Sequence, residues 1–530
     1  MHVSSGQDTA VASSAAFGDL EAMSFAPPTP SEQQKNQMDV LVIVGKVTAT
    51  SARVLYEPLV SDESSITVSL VLQKSAQDHV LVKAFTHLQH QSFPYVAAYD
   101  DLVPNSVYFV HVQVGSAPSA VYTAVGRFRT PPRSIASEKL MLLTFSCDRF
   151  VDDADDSHWL SLAEEVRDPA YYGSVHMGDQ IYADSILRTL QDATYDVIVN
   201  AFRAMYRRGF GRLLAQRVLR HGAHYMQMDD HDVINNWSRD TWIKHNVFVR
   251  AGLQVFYEYQ YQLLQDWSDL PSCRSATKEE LYRPMHHQVS LGANELQLVF
   301  ADTRLERGLI LSPKELMSKT QLKYLQDAWS TNATQAVLFT PVPLFFHTQS
   351  SAAFAEYVDG DLYPGHKHFT STVQALWDQL PSTALQLVAG DLHMGHQSTI
   401  SDSTKRVPQL IASGMTKDST AMADRRLVLF YYVITQWAQK VACAWSKMAV
   451  AGGQSEGYCM QSAPPHYGQN YGKLTWDRGE WTAEIVTKPY DDVPETMLQA
   501  LLTWALGFRA VTSVMVIVVL RSAFGSFWGL

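Results

Sequence analysis

Three stretches decide how this chain reads: Ser174-Val-His-Met-Gly-Asp-Gln-Ile-Tyr-Ala-Asp184, Tyr225-Met-Gln-Met-Asp-Asp-His-Asp-Val-Ile-Asn-Asn-Trp237 and Leu385-Gln-Leu-Val-Ala-Gly-Asp-Leu-His-Met-Gly-His396. Each is a short apolar run that stops at carboxylates and histidines. A fourth, Leu140-Met-Leu-Leu-Thr-Phe-Ser-Cys-Asp148, stops at a thiol and a carboxylate. Apolar runs of this length suit buried strands. Open α/β sheets place ligand sites just beyond the carboxyl ends of their strands. Strands that deliver oxygen, nitrogen and sulfur donors to one edge predict a metal site.

Outward from these segments the chain divides in two patterns. From residue 38 to about 132, short runs rich in Val, Thr and Tyr alternate with Ser, Asp, Pro and Gly turns. Strands are expected at 40–47, 52–56, 66–72, 80–85, 95–99, 107–114 and 120–128. This spacing predicts an immunoglobulin/fibronectin III-like β-sandwich over 38–132. Thr130-Pro-Pro132 marks its exit, because proline cannot continue a ladder. From 137 to 490 strands and helices alternate, which implies an α/β domain with helices on both sheet faces. Strands are expected at 139–145, 173–177, 224–228, 295–301, 334–340 and 384–389. Helices are expected at 157–165, 195–220, 242–265 and 314–327. Asp477-Arg-Gly-Glu480 between two apolar runs reads as a hairpin that closes a sheet.

Order and type of the polar residues resemble the calcineurin-like metallophosphoesterases. Gly178-Asp179 comes first, Asp230-His231 stands in the middle, and Gly390-Asp391-Leu392-His393 follows the last strand. Ser146-Cys147-Asp148 occupies the place of the usual Asp-x-His. These departures from the common pattern match one branch, the alkaline phosphatase D (PhoD-like) phosphatases, which share Gly-Asp-x-x-Tyr and Asp-Asp-His. The resemblance covers residues 38–490. It implies a four-layer α/β domain, two mixed sheets face to face and flanked by helices, with metals at the shared edge. It also implies phosphate ester hydrolysis, on monoesters or diesters, with a small-molecule phosphate ester as substrate.

The donor chemistry agrees. Asp179 has two oxygens and can bridge two cations. Cys147 and Tyr182, as thiolate and phenolate, favour a transition ion such as iron or zinc. Asp230 and Asp391 are hard donors suited to calcium, magnesium or manganese, and His393 adds an imidazole. Two or more metal ions are expected; iron beside calcium is what the resemblance implies. His231 would lie near the leaving-group oxygen and protonate it, with Asp229 orienting its ring. Arg304 is the first choice to hold the phosphoryl oxygens, and Arg188 the second. Asn236 and Trp237 are expected to line the pocket. His176 and His396 read as packing or supporting residues, and Asp302 as a structural partner of Arg304.

Bulk properties set the remaining bounds. The chain has 530 residues, is 46% hydrophobic and 18% charged, and carries a net charge of -11. That balance gives no electrostatic case for nucleic-acid binding. Four cysteines are too few for a disulfide scaffold. Residues 1–37, rich in Ser, Ala, Gln and Pro, lack the features of a secretory signal and read as a disordered leader. Residues 491–530 form an apolar tail whose 498–520 run approaches the ~20 residues that span a bilayer. Arg509 in its middle opposes insertion. A helix packed on the body is the first reading of the tail, and a membrane anchor serving a phospholipase-like diesterase the alternative. A second apolar stretch, 427–445, contains Gln436, Gln439 and Lys440 and reads as an amphipathic or buried helix. A non-catalytic interaction protein built on the sandwich is the rival from another class.

Overall fold

Seven strands build the first part of the fold: β1 (Val40–Val47), β2 (Ala52–Pro58), β3 (Ser65–Gln73), β4 (His79–Leu88), β5 (Tyr95–Tyr99), β6 (Val107–Val114) and β7 (Tyr122–Arg129). They form two antiparallel sheets, ordered β1-β2-β5 and β4-β3-β6-β7. Val42, Val44, Val54 and Tyr56 of the first meet Val68, Leu70, Val110 and Phe128 of the second in one core. The computed structural model describes residues 20–60, 65–75, 78–89, 91–115, 122–151, 156–190, 192–237, 242–265, 273–292, 294–308, 315–329, 335–358, 360–381, 385–417, 458–463 and 465–487.

The α/β body holds two mixed sheets. The first contains β8 (Lys139–Phe145), β9 (Tyr171–Met177), β10 (Ala223–Gln227), β18 (Asn470–Asp477) and β19 (Glu480–Thr487), in the order β10-β9-β8-β18-β19. The second contains β11 (His287–Leu291), β12 (Leu296–Phe300), β13 (Gln335–Thr340), β14 (Leu385–Ala389), β15 (Gly395–Ser401), β16 (Arg406–Ala412) and β17 (Cys459–Ser462). Its order is β11-β12-β13-β14-β16-β15-β17. Strands β8, β9 and β10 run parallel, as do β12, β13, β14 and β16. Alternation explains their continuous apolar sequences, because both faces are buried. Leu140 and Leu142 of β8 meet Leu298, Phe339 and Leu410 between the sheets. Met141, Leu143 and Phe145 face the other way, onto Trp159, Phe202 and Tyr206 of the helices Ser157–Glu165 and Tyr195–Phe210. On the far side, Leu387 and Ala389 pack under Ala352, Leu376 and Trp377 of the helices Gln349–Val358 and Thr370–Gln379. The result is helix, sheet, sheet, helix.

The sandwich is joined to this body without a seam. Leu41, Ile43 and Leu55 sit in the same apolar cluster as the outer helices of the five-stranded sheet. Buried Glu57 pairs with Arg207 and accepts from Tyr259 Oη at 2.6 Å.

The structure departs from the sequence expectations at several places. Residues 20–37 are not a disordered leader: they form the helices Leu20–Ser24 and Pro30–Lys35. The second is held by a reciprocal cap between Thr29 and Glu32, and Leu20 is fully buried. The expected helix over 195–220 breaks at Gly211 and Arg212. Arg212 takes φ -58° and ψ 146° and sends its guanidinium to Asp148 and Asp156. Strands β11, β15, β16 and β17 were not foreseen. Residues 395–401 are largely polar, and pairing with two neighbours makes them a strand. The hairpin at 477–480 forms, with Arg478 and Gly479 at φ 49° and 95°, and β18 pairs antiparallel with β8. Among the described residues no helix is long and apolar enough to cross a membrane. The tail 491–530 and the stretch 427–445 lie outside the described residues.

Candidate metal centre

The carboxyl ends of β8, β9 and β10 meet those of β12, β14 and β16 at one edge of the paired sheets. Two glycines allow the approach. A Cβ on Gly178, which has φ +90°, would stand 2.2 Å from Asp229 Cβ. One on Gly390 would stand 2.5 Å from Ser146 Oγ. The residues after the strands then turn sharply. Cys147 (φ 62°), Asp179 (60°), Tyr182 (48°), Asn236 (58°), Asp391 (72°) and His393 (51°) all adopt left-handed backbone. Each such residue costs of order 1 kcal/mol and persists only where its surroundings over-determine it. Here they do. The buried carboxylate of Asp232 accepts from the backbone N–H of Asp179 (3.1 Å), Gln180 (2.9 Å) and Asp229 (3.0 Å), which staples two turns together. Ser146 Oγ accepts from Asp391 N at 3.3 Å, and Ser413 Oγ from His393 N at 2.9 Å.

Three donor groups result, each with ligand atoms within 4.8 Å of one another: Cys147, Asp179 and His393; Asp179, Asp230 and His231; Asp229, Asp230 and Asp391. Cys147 Sγ is 3.5 Å from Asp179 Oδ2, and Tyr182 Oη is 3.0 Å from His393 Nε2. Burial pushes the Cys147 thiol well up, and the Asp179 carboxylate adds to it. Burial, with the neighbouring carboxylates Asp230 and Asp229 adding to it against the His231 ring, likewise pushes Asp179 well up. Asp391 is raised too, by burial and then Asp229. Asp230 is lowered: burial opposes its charge, but Arg304 and His231 outweigh it.

These donors fit cations. Asp229 Oδ2 and Asp391 Oδ2 are buried and have no hydrogen-bond partner among the described residues. Buried carboxylate oxygens normally have partners, and an unpaired buried charge is costly. Thiol, phenol, imidazole and carboxylate together suit a transition ion, and the aspartate group suits a hard cation.

Predicted residues take the following places. His231 Nδ1 lies 2.5 Å from Asp184 Oδ1, and its ring stacks on Tyr182 with centroids 4.3 Å apart. Side-chain exposure is 18% for His231 and 31% for Asp184, which marks the open side of the site. Burial works against a charged ring, but Asp230, Asp179 and Asp184 outweigh it and push its pKa up to about 10. Asp229, expected to orient that ring, is instead bonded by Arg304 Nε. Arg304, expected to clamp phosphate, is 0% exposed. Its guanidinium bonds both oxygens of Asp361 (3.3 and 3.0 Å) and lies 3.6 Å from Asp230 and 3.7 Å from Asp391. It organises carboxylates from beneath. Arg188 is exposed on the helix Asp184–Leu190, and among the described residues no ion pair ties it to the donors. Asn236 donates its N–H to Asp230 Oδ2 at 2.5 Å, and Trp237 is fully buried. Asp302 accepts backbone N–H groups of Arg304 and Leu305 rather than pairing with the Arg304 side chain. His176 packs in its strand, bonded to His224 at 2.9 Å.

Sequence reasoning missed four participants. Asp184 closes one of the quoted segments, so its signal was present. Asp361, which also binds Arg307 at 2.7 Å, sits in a loop with no motif. Ser146 and Ser413 act through their hydroxyls on backbone and on Cys147 Sγ, at 3.4 and 3.2 Å, which no spacing reports.

Neither a protein-family model nor a curated protein matches the chain. Among solved structures, PhoD superposes with a TM-score of 0.60 at 15% identity, over 87% of this chain and 90% of that one. The fn3 domain of the human collagen alpha-1(XX) chain matches 18% of this chain and 81% of its own length at 18% identity, but its TM-score of 0.15 carries no argument. The chain therefore has a PhoD-like fold, a mixed β and α/β architecture shared over most of its length.

Proposed function

We propose that this protein is a metal-dependent phosphoesterase acting on small phosphate esters. The observation that carries the reading is the meeting of thiol, phenol, imidazole and aspartate donors from both sheets at one edge, with two buried carboxylate oxygens unpartnered. Cys147, Asp179, Tyr182 and His393 would hold one cation, for which iron or zinc suits the donors. Asp179, Asp229, Asp230 and Asp391 would hold a harder one, such as calcium, magnesium or manganese. Cations bound there would supply Lewis-acid stabilisation of the phosphoryl oxygens and lower the pKa of water. The chain's own chemistry is proton delivery. His231, held at Nδ1 by Asp184 and stacked on Tyr182, is partly exposed and would offer its other nitrogen to the substrate. Held to Asp184, whose carboxylate is not among the proposed cation ligands, it would donate a proton to the leaving-group oxygen.

The sheet orders β1-β2-β5 and β4-β3-β6-β7 support an immunoglobulin/fibronectin III-like reading of the first seven strands. Their shared core with the catalytic body favours a supporting role over a separate binding module.

Elemental analysis of purified protein, run beside hydrolysis of aryl phosphate mono- and diesters, tests this. About two metals per chain, with turnover abolished by chelator and by Asp179→Asn, is expected. A folded, metal-supplemented sample that binds no metal and turns nothing over would refute it.

A further inference from the structure

Building on the reading of Cys147 as a ligand to a transition ion, we propose that Ser146 and Ser413 are a pair of hydroxyl donors to the Cys147 sulfur, positioning residues that draw electron density from it and so set how strongly it donates to that ion. The contacts are 3.4 Å from Ser146 Oγ and 3.2 Å from Ser413 Oγ. Which atom donates follows from proton accounting. A serine hydroxyl has one proton and two lone pairs. Ser146 Oγ accepts the backbone N–H of Asp391 at 3.3 Å, and Ser413 Oγ accepts that of His393 at 2.9 Å. Each oxygen thus has a lone pair occupied while its proton still needs an acceptor. Burial makes that need strict, since Ser146 is 1% and Ser413 0% exposed. Among the described residues the sulfur is the other side-chain partner of both. A sulfur bound to a cation carries no proton, so both hydroxyls donate to it. Without a cation, the thiol proton has Asp179 Oδ2 at 3.5 Å as its acceptor, and the serines donate as before.

The two serines come from different sheets. Ser146 follows β8 of the five-stranded sheet, and Ser413 follows β16 of the seven-stranded one. The sulfur is therefore held between hydroxyls across the seam. Their N–H partners lie on one turn, 391–393, whose left-handed Asp391 and His393 belong to the donor groups themselves. An N–H bond to the oxygen polarises the hydroxyl and strengthens its own donation. Hydrogen bonds to a ligand sulfur are a known lever on the ion it holds. They reduce the sulfur's electron donation, which leaves the ion more electron-poor and favours its reduced state.

The test uses the full-length protein loaded with cobalt(II) as a spectroscopic probe. The variants are Ser146→Ala, Ser413→Ala, the two combined, and Ser413→Thr, with Cys147→Ser to assign the band. The parent should show a near-ultraviolet sulfur-to-cobalt charge-transfer band that Cys147→Ser abolishes. At cobalt saturation each alanine variant should move that band to longer wavelength, and the combination should move it further. Ser413→Thr keeps a hydroxyl and should return the band towards its parental position. A merely structural loosening of the 391–393 turn would weaken binding without moving the saturated band. Alanine variants that bind cobalt with the band unmoved would therefore overturn the proposal and leave the ligand reading standing. Folded alanine variants that bind no cobalt would also overturn it, because the hydroxyls would then only hold the turn. Ser146→Ala and Ser413→Ala carry the prediction independently, so loss of the fold in one leaves the other to decide. A folded parent with no cobalt band that depends on Cys147 would overturn the ligand reading as well.

Discussion

Replacing Asp184 by asparagine isolates the proton-delivery step. Asp184 Oδ1 lies 2.5 Å from His231 Nδ1, and both side chains are less than a third exposed. Asparagine keeps the shape but removes the charge that favours imidazolium and fixes the ring's tautomer. A charge-assisted hydrogen bond contributes about 1.5–3 kcal/mol. Partial exposure places this one at the lower end, and each 1.36 kcal/mol corresponds to about tenfold in rate. Asp184→Asn should therefore lower kcat about tenfold on a poor leaving group such as an alkyl phosphate. On 4-nitrophenyl phosphate, whose leaving group needs little protonation, the loss should be about twofold or less. His231→Gln should show the same asymmetry more strongly, about 10²–10⁴-fold on the poor leaving group. The assay is steady-state kinetics over a series of esters of graded leaving-group pKa. Equal losses across the series, for either variant, would refute His231 as the proton donor and leave the pair a positioning element.

Three other outcomes follow from the geometry. Arg304→Met should destabilise the protein by about 3–5 kcal/mol, because it strands buried Asp229 and Asp361; an unchanged urea midpoint would show that Arg304 is not what holds the aspartates together. Gly178→Ala forces a Cβ to within 2.2 Å of Asp229 Cβ at φ +90°, so a folded variant should lose bound metal; full metal occupancy would contradict the packing described. For pH, burial pulls His347 down to about 3 against the opposing charge of Asp361, and burial and then His466 pull His396 down to about 4. Above about pH 6.5 both rings are neutral folded or unfolded, and neither costs stability. As pH falls below that value the unfolded chain takes up protons that the folded one refuses. These two rings together should take away on the order of 5 kcal/mol by pH 4.5, while the raised carboxylates Asp179 and Asp391 act in the opposite sense. The measurement is therefore the difference in denaturant midpoint between the protein and a His347→Phe/His396→Phe variant at pH 7 and 4.5; an equal pH dependence in the two would show that these rings are not buried neutral.

Much of the fold was legible because the signal was local. Residues 40–47, 95–99, 107–114 and 139–145 appear as strands at the expected bounds, since uninterrupted apolar or alternating runs leave a buried strand little alternative. Strand β15 was invisible for the converse reason. Gly-His-Gln-Ser-Thr-Ile-Ser has no strong pattern, and β16 and β17 on either side supply the pairing. The early helices at 20–24 and 30–35 were hidden by a polar composition that resembles disorder. Burial of Leu20 against Val71 and Phe109, and of Glu32 at a helix cap, holds them.

The sequence by itself determined which side chains could serve the site. Carboxylates, imidazoles, a thiol and a phenol end apolar runs, and strand ends converge in an α/β sheet. Tertiary structure alone decided how they pair. In the single turn from Asp230 to Asp232, neighbouring side chains leave the backbone in different directions. Asp229 therefore falls to Arg304 although His231 is two residues away, and His231 finds Asp184 from another strand's turn. Arg304 was legible as a cation near phosphate chemistry, but not as a fully buried one. Its burial depends on Asp361, contributed by a loop that no motif marks. Residue type and spacing report what a group can do; direction and depth in the folded chain select which of those things it does.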